Sequence, residues 1–519
     1  MRTLMGVAVT AWSVTVYAQP KDLAVPAPEV RTPAKKVALP AVPSFALPAE
    51  EPGFVSVQTL RVAGKKRLDT EVKVKGYITW VYDCVTANAR RGESRARTQK
   101  RIDDDPTLCE RRKFYLGDVK NEPEPRSLWV VDVPRPPNKL ERERLPKEEI
   151  ASWPAVPKFK LGDYVVVTGK FARSSPHSER NSDGLVVFRT LEPANKPSRA
   201  KAANVAPPVR PTIATPQTKQ LIAPPKDGAS RERSVKASNA ATAAYGLRKY
   251  DEAIAGYKQS IAEWHGNHIA HYGLAGSYIG QRDWSKARDA MKTAHELEPY
   301  VAMYAMVYAY TLYESAIADA RAAQAKKQNV SPEAVDFDAS VVNHDKALAH
   351  MTYAIQLDPK LWRAHYYIGR IHRDRGEARW AAESLVAALT SGPTDPGPWI
   401  ALSELYRTWQ YIDESIAVTK AGLTFVVGVA AADLWYMLGM GYDEKRKYAD
   451  SIVAFTKALD ANPDNTKALF QRGQAYYRKR ELSKAKLDLE AFVGLATTPN
   501  LDFPKQQANK MLMDIAANK

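Results

Sequence analysis

Two cysteines, a run of arginines and a run of histidines are the residues of this 519-residue chain whose types and spacing could do chemistry. Cys84 and Cys109 are its 2 cysteines, and neither stands in a CxxC. In an oxidising compartment they could close a loop of about 25 residues, which the chain-entropy account values at roughly 3 kcal/mol. In a reducing compartment they read as two packed thiols. Without a second ligand pair they are not a metal site. Between them stand Arg90, Arg91, Arg95, Arg97, Lys100 and Arg101, with Asp103, Asp104 and Asp105 following and Tyr77, Trp80, Tyr82 and Tyr115 nearby in sequence. Cations track phosphates and rings stack on bases, so the set suits single-stranded nucleic acid. It suits an anionic polymer or membrane surface equally, or a solvated loop. His265, His268 and His271 recur at i, i+3 and i+6. Gly266 and Asn267 read as a helix entry there, so the run straddles a helix start and reads as packing rather than metal ligation. GxSxG, P-loop, HExxH and a strand-borne GxGxxG are absent, and Glu148-Glu149 lie in polar, Pro-flanked sequence. The sequence therefore gives no reason to expect enzymatic activity, a metal or a cofactor.

The elements that must position these residues divide by composition. The formal net charge is +17, of which +15 falls on residues 1–233. The remainder is near neutral, so the basic character belongs to the N-terminal half. Arg2, an apolar run and then Val16-Tyr17-Ala18 before Gln19 fit a short secretory signal peptide over residues 1–18. That predicts a periplasmic or secreted protein, most simply of a Gram-negative bacterium, and weighs against nucleic acid as a ligand. Residues 19–53 and 194–233 are rich in Pro and Ala and read as semi-extended linkers. No internal apolar run reaches the length of a membrane span.

Residues 54–193 carry alternating, β-branched runs at 71–84, 113–118, 128–133, 163–171 and 184–191. Gly76 offers a bend or bulge within the first of them. Five short strands, the first long, resemble an OB-fold barrel. The resemblance implies a small all-β domain that binds oligonucleotides, oligosaccharides or proteins.

Residues 234–519 repeat one spacing. Trp435, Leu438, Gly439 and Tyr442 share one face of a helix, Phe455 and Ala458 face back from a second, and Pro463 ends it. Copies about 34 residues apart include His365–His372 with Ala381–Pro393, Leu274–Tyr278 with Ala287–Pro299, and Leu469–Tyr476 with Ala485 and Leu489. Trp399, Leu402 and Tyr406 form a weaker copy, and KYDEAIAGYKQSI holds the first. One copy is split: its first helix falls near residues 300–314, its second carries Ala347, Met351 and Ala354, and an Ala/Lys/Gln-rich insertion lies between. This pattern resembles the tetratricopeptide repeat. It implies an all-α superhelix of about seven repeats with a capping helix near 506–517, preceded by the small β barrel. The family binds proteins or peptides on the concave side. The resemblance places that side on the stripe next to the packing positions: Arg363, Tyr366, Arg370 and Arg373, then Tyr436 and Met440, then Phe470, Gln474 and Arg478. The Lys/Asn clamp that some members use for a terminal carboxylate is not reproduced. The expectation is an exported adaptor for a protein partner, with the basic barrel on an anionic surface or a second partner. The alternative is a cytosolic single-stranded nucleic-acid-binding protein with a recruiting tail. A polysaccharide-binding subunit is a third possibility.

Overall fold

The computed structural model describes residues 37–45, 47, 51–63, 67–90, 92–122, 126–174, 181–195, 225–335, 337–498 and 501–517. The predicted signal peptide and most of both linkers lie outside them. The chain splits into two compact units, Ser44–Ala206 forming the body of one and Pro207–Arg407 with Tyr411–Lys519 the body of the other.

The first unit is a barrel. Helix α1 (Val57–Ala63) precedes β1 (Glu71–Val81); α2 (Cys84–Asn88) and α3 (Arg95–Asp104) precede β2 (Phe114–Gly117). Then come β3 (Leu128–Val131), α4 (Lys139–Arg144), α5 (Lys147–Ala151), β4 (Tyr164–Ser174) and β5 (Asn181–Pro193). The strands close in the order β1-β2-β3-β5-β4. Among these strands β3 and β5 pair in parallel and the other neighbours antiparallel. Val72, Val74 and Ile78 of β1 point inward and Glu71 and Lys73 outward, as period-two alternation demands. The fault in the register falls between Ile78 and Trp80, beyond the glycine expected to supply it. Gly76 instead allows close approach, because a Cβ there would stand 2.8 Å from the Gly117 carbonyl oxygen. Val57 and Leu60 of α1 join the barrel core. The Asp118 carboxylate accepts from the Val57 and Gln58 amides, both at 2.8 Å, and so caps that helix from across the chain.

The stretch between the cysteines is folded, which corrects its reading as a charged, coreless loop. Asp83 and Ser94 cap α2 and α3, and Val85, Thr98 and Ile102 are buried. The charge run masked these inward positions. A disulfide joins Cys84 to Cys109, with Cα atoms 5.3 Å apart.

The second unit is a helical array in seven antiparallel pairs. They are α6 (Gly228–Gly246) with α7 (Tyr250–Glu263), α8 (His268–Gly280) with α9 (Trp284–Leu297), and α10 (Ala302–Gln328) with α11 (Asp345–Leu357). Next come α12 (Trp362–Asp374) with α13 (Ala378–Leu389) and α14 (Pro396–Thr408) with α15 (Ile412–Gly422). Last come α16 (Ala432–Glu444) with α17 (Tyr448–Ala461) and α18 (Thr466–Arg478) with α19 (Leu482–Leu495), and α20 (Asp502–Ala517) closes the end. Helix α6, capped by Asp227, begins inside the stretch expected to be linker, and α20 begins four residues before the expected cap. The early part of the insertion in the third pair is a continuation of its first helix. Helix α10 runs to Gln328 and ends at a left-handed Asn329 (φ 54°). Further on, His344 is buried against Tyr313, with ring centroids 4.8 Å apart.

Within the pairs, small residues admit the partner helix. A Cβ on Gly439 would stand 2.6 Å from Cδ1 of Phe455, a fully buried ring. The turns share another device. Arg248, Arg282, Arg446 and Arg480 each take a left-handed conformation at φ 57–65° between the two helices of a pair. In the fourth pair Gly376 does so at φ 77°. A side chain there costs about 1 kcal/mol that glycine avoids. Replacing exposed Arg282 and Arg480 by glycine is therefore expected to stabilise the array by about 0.5–1 kcal/mol per site, read as a higher urea midpoint at unchanged slope.

Candidate functional site on the first helices

The residues predicted to meet a ligand lie along the first helix of each pair, and the structure sorts them. Arg363 is half-exposed and rests over the Trp362 ring at 4.4 Å. Arg373 is half-exposed and donates to Asp374 at 3.0 Å. Asp374 also accepts from the Tyr313 hydroxyl at 2.5 Å. Tyr436 and Met440 are half-buried. Tyr366 and Arg370 are buried, deeper than expected of ligand contacts. Phe470 is a core residue instead: it packs on Phe492 at 4.8 Å within the cluster that α20 covers. Gln474 donates to Gln507 of α20 at 3.5 Å. Arg478 is exposed and pairs with Asp443 of α16.

Some charges along the first helices are paired from one helix to the next. Arg370 of α12 faces Glu314 of α10 at 3.5 Å, and Arg407 of α14 meets Glu444 of α16 at 2.8 Å. The sequence reading missed Glu314, Asp374, Glu404, Arg407 and Glu444. Glu404 was within reach, since it stands 34 residues after Arg370 at the same place in the repeat. It is half-buried. Burial raises its carboxyl above the usual range against the opposing pull of Arg373, Arg407 and Lys467. Burial likewise pushes the Tyr436 phenol up to about 12.

Residues 239–302 and 436–494 match the family model of the tetratricopeptide repeat. The array is built of tetratricopeptide repeats. Solved structures similar to this chain include the APC/C hetero-tetramer Cut9–Hcn1, at 14% identity over 54% of this chain and 53% of that one, TM-score 0.37. A tetratricopeptide repeat protein from Parabacteroides merdae matches at 13% identity over 55% and 100%, TM-score 0.37. PilF of Pseudomonas aeruginosa matches at 12% over 47% and 96%, TM-score 0.36. The chain therefore spans about half the length of the Cut9–Hcn1 chain it matches. No curated protein matches it. Tetratricopeptide proteins act as protein-binding scaffolds and are generally non-catalytic.

Elsewhere in the tetratricopeptide array the histidine run is engaged internally. His268 shares a hydrogen bond with the Tyr304 hydroxyl at 2.8 Å, and His271 Nε2 lies 3.0 Å from the His265 carbonyl. A second cluster was not noticed in the sequence. His295 of α9, Tyr308 of α10, and His350 and Tyr353 of α11 meet mostly edge to face, with centroids 4.8–6.2 Å apart. The Nδ1 atoms of both histidines are buried without a partner among the described residues. Burial lowers the pKa of His350 and takes that of His295 down to about 4. Among the described residues no helix is long and apolar enough to cross a membrane.

In the barrel unit, the basic patch is partly committed to its own fold. Arg95 binds Asp83 at 2.9 Å. Arg101 binds Glu93 at 3.0 Å and the Asn88 carbonyl at 2.6 Å. The Arg101 hydrogen bond holds the Glu93 carboxyl down to about 2. Arg90, Arg97 and Lys100 are exposed, and Arg91 lies outside the described residues. Trp80, Tyr115 and Trp129 form a ladder of rings across β1, β2 and β3, with centroids 4.8 and 4.9 Å apart. Lys113 Nζ lies 5.1 Å from the Trp129 ring centroid and 5.3 Å from that of Tyr82. Tyr77, expected beside the patch, packs on Tyr164 at 4.6 Å.

Proposed function

We propose that the chain is an exported, non-enzymatic adaptor. The face formed by the first helices of the array holds an extended segment of a protein partner, and the basic barrel, read as an OB-type fold, contacts an anionic envelope surface or a second partner. The observation that carries the first part is the half-buried pair Tyr436 and Met440 on α16. The Tyr436 ring stands half open one helical turn from Met440, within the field of Arg407, Glu404 and Asp433, and Glu404 feels the charges of Arg373 and Lys467. Rings and thioether give a peptide apolar anchors, and the flanking charges fix its register. The test is a selection from a displayed random peptide library on the full chain. Selected peptides are expected to lose at least about thirtyfold in affinity to Y436A or R373E and nothing to V453D, which alters an exposed residue of α17. Equal binding to all three variants would remove this reading. Export is tested by mass spectrometry of the native protein, with Gln19 expected as its first residue.

The ring ladder favours a second reading, in which the barrel binds a single-stranded nucleic acid. Stacking on Trp80 and Trp129, with the exposed cations Arg97 and Lys100 on the same unit, is the chemistry such ligands use. It requires an uncleaved N-terminus and an affinity that falls steeply with salt.

A further inference from the structure

Resting on the reading of the barrel as an anion-contacting unit, we infer that Arg67 and Lys73 hold a phosphate monoester in a cavity beside the start of β1. The cavity has a volume of about 650 Å³ and is open to solvent, and none of the described basic residues between the cysteines lines it. Its rim is set by a turn. Pro52 and Gly53 (φ 83°) reverse the chain, and the Phe54 N–H donates to the Glu51 carbonyl at 3.0 Å. The Val55 N–H then donates to the Lys73 carbonyl at 2.9 Å, and the Val55 carbonyl accepts from the Lys75 N–H at 3.4 Å. The segment is thereby fastened along β1 before any ligand arrives. Val55 and Val72 are buried and give the cavity an apolar base, to which Phe54 adds a half-buried ring. The charges decide what enters. Glu51 and Glu71 line the cavity, but each is already matched: Glu51 by Lys75, whose Nζ also lies 3.9 Å from the Phe54 ring centroid, and Glu71 by Arg189. Asp69, two residues from Arg67, is held by Lys170 at 2.7 Å. Arg67 and Lys73 line the cavity too, and neither side chain has a hydrogen-bond or ion-pair partner among the described residues. Two positive charges therefore stand uncancelled at one cavity. A carboxylate or a sulfate ester brings one negative charge and leaves one cation unmatched. A phosphate monoester carries about −1.5 to −2 at pH 7 and three acceptor oxygens, enough for an arginine fork and a lysine together. The apolar base then takes the body that the ester is attached to. The ester is either a small soluble molecule or the headgroup of a lipid.

Two probes distinguish these sources: phenyl phosphate in solution, and phosphatidylcholine vesicles carrying phosphatidate, whose headgroup is a phosphate monoester. By calorimetry the full chain is expected to bind phenyl phosphate about tenfold more tightly than phenyl sulfate, which has the same body and less charge. R67Q and K73Q, at positions that solvent reaches, should each weaken phenyl phosphate by at least about tenfold and erase its advantage over phenyl sulfate. The double variant R97Q/K100Q, in the run between the cysteines, should bind both esters as the wild type does. For a lipid headgroup, phosphatidate vesicles sediment with the wild type but not with R67Q or K73Q. For a small soluble ester, the vesicles stay free while phenyl phosphate binds, which keeps the cavity site and removes a lipid surface from the barrel's role. Absence of phenyl phosphate binding, equal binding of the two esters, or a preference that survives R67Q and K73Q would overturn the cavity site. Vesicle binding lost only in R97Q/K100Q would overturn it as well, while leaving the anionic-surface reading of the barrel intact.

Discussion

W399A is expected to lower the stability of the array by about 3–5 kcal/mol, the cost of deleting a large buried aromatic. Trp399 is fully buried, stacks on Phe425 at 5.5 Å and 17°, and donates its indole N–H to the Pro393 carbonyl at 2.8 Å. The Gly422 backbone closes over the ring, where a Cβ would stand 2.9 Å from Cγ of Trp399. Because a repeat array is held by nearest-neighbour contacts, weakening the fifth pair should do more than lower one midpoint. The single urea transition should split, with the pairs before and after it unfolding separately. Circular dichroism with hydrogen exchange reads both effects. A wild-type-like midpoint, or a uniform shift without loss of cooperativity, would contradict this account. V453A, at an exposed position of α17, should change stability by less than about 0.5 kcal/mol.

The second large effect is acid sensitivity. An unfolded histidine titrates near 6.5, whereas burial holds His295 down to about 4. Burial also lowers His350, His344, His271 and His268. Between those values the unfolded chain binds protons that the folded chain refuses. The contribution of these residues is thus complete above about pH 6.5 and is lost as pH falls toward 4. His295 alone accounts for about 3 kcal/mol over that window, at roughly 1.4 kcal/mol per unit. The groups facing it are Tyr308, His350 and Tyr353, none of which supplies a negative charge at these pH values. Urea midpoints measured from pH 7 to pH 4.5 should fall steeply. H295F should flatten the slope, since a ring of similar size remains and no proton is taken up. An unchanged slope in H295F would assign the acid sensitivity to other groups.

The repeats were legible because each pair buries the same few positions: Gly439 against Phe455 is the same contact as Gly473 against Leu489, so one copy predicts the next. The stripe beside them was legible only in part. Phe470 sits one helical step from the core and went to the core side, where Phe492 and α20 enclose it, a neighbour that the sequence does not place. Glu404 was overlooked because the copy around Trp399 is weak. The ion partners were out of reach for a different reason. Arg370–Glu314 and Arg407–Glu444 join residues 56 and 37 positions apart, and no local pattern encodes such pairs. In the barrel, the alternation of β1 was readable, whereas a dense charge run hid the buried Thr98 and Ile102 and made a helical segment look like a loop.

The pairing of charges from one first helix to the next has a mechanical side. A coil whose rungs are clipped by opposite charges is a spring, and dissolved ions set part of its stiffness by screening those clips over about 10 Å at 0.1 M. The clips are graded. Arg370 and Glu314 expose 10% and 18% of their side chains, Arg407 and Glu444 25% and 21%, and Arg478 and Asp443 42% and 12%. Screening acts most on the exposed end. Added electrolyte therefore slackens the coil from its C-terminal turns inward, and its middle turns keep their pitch.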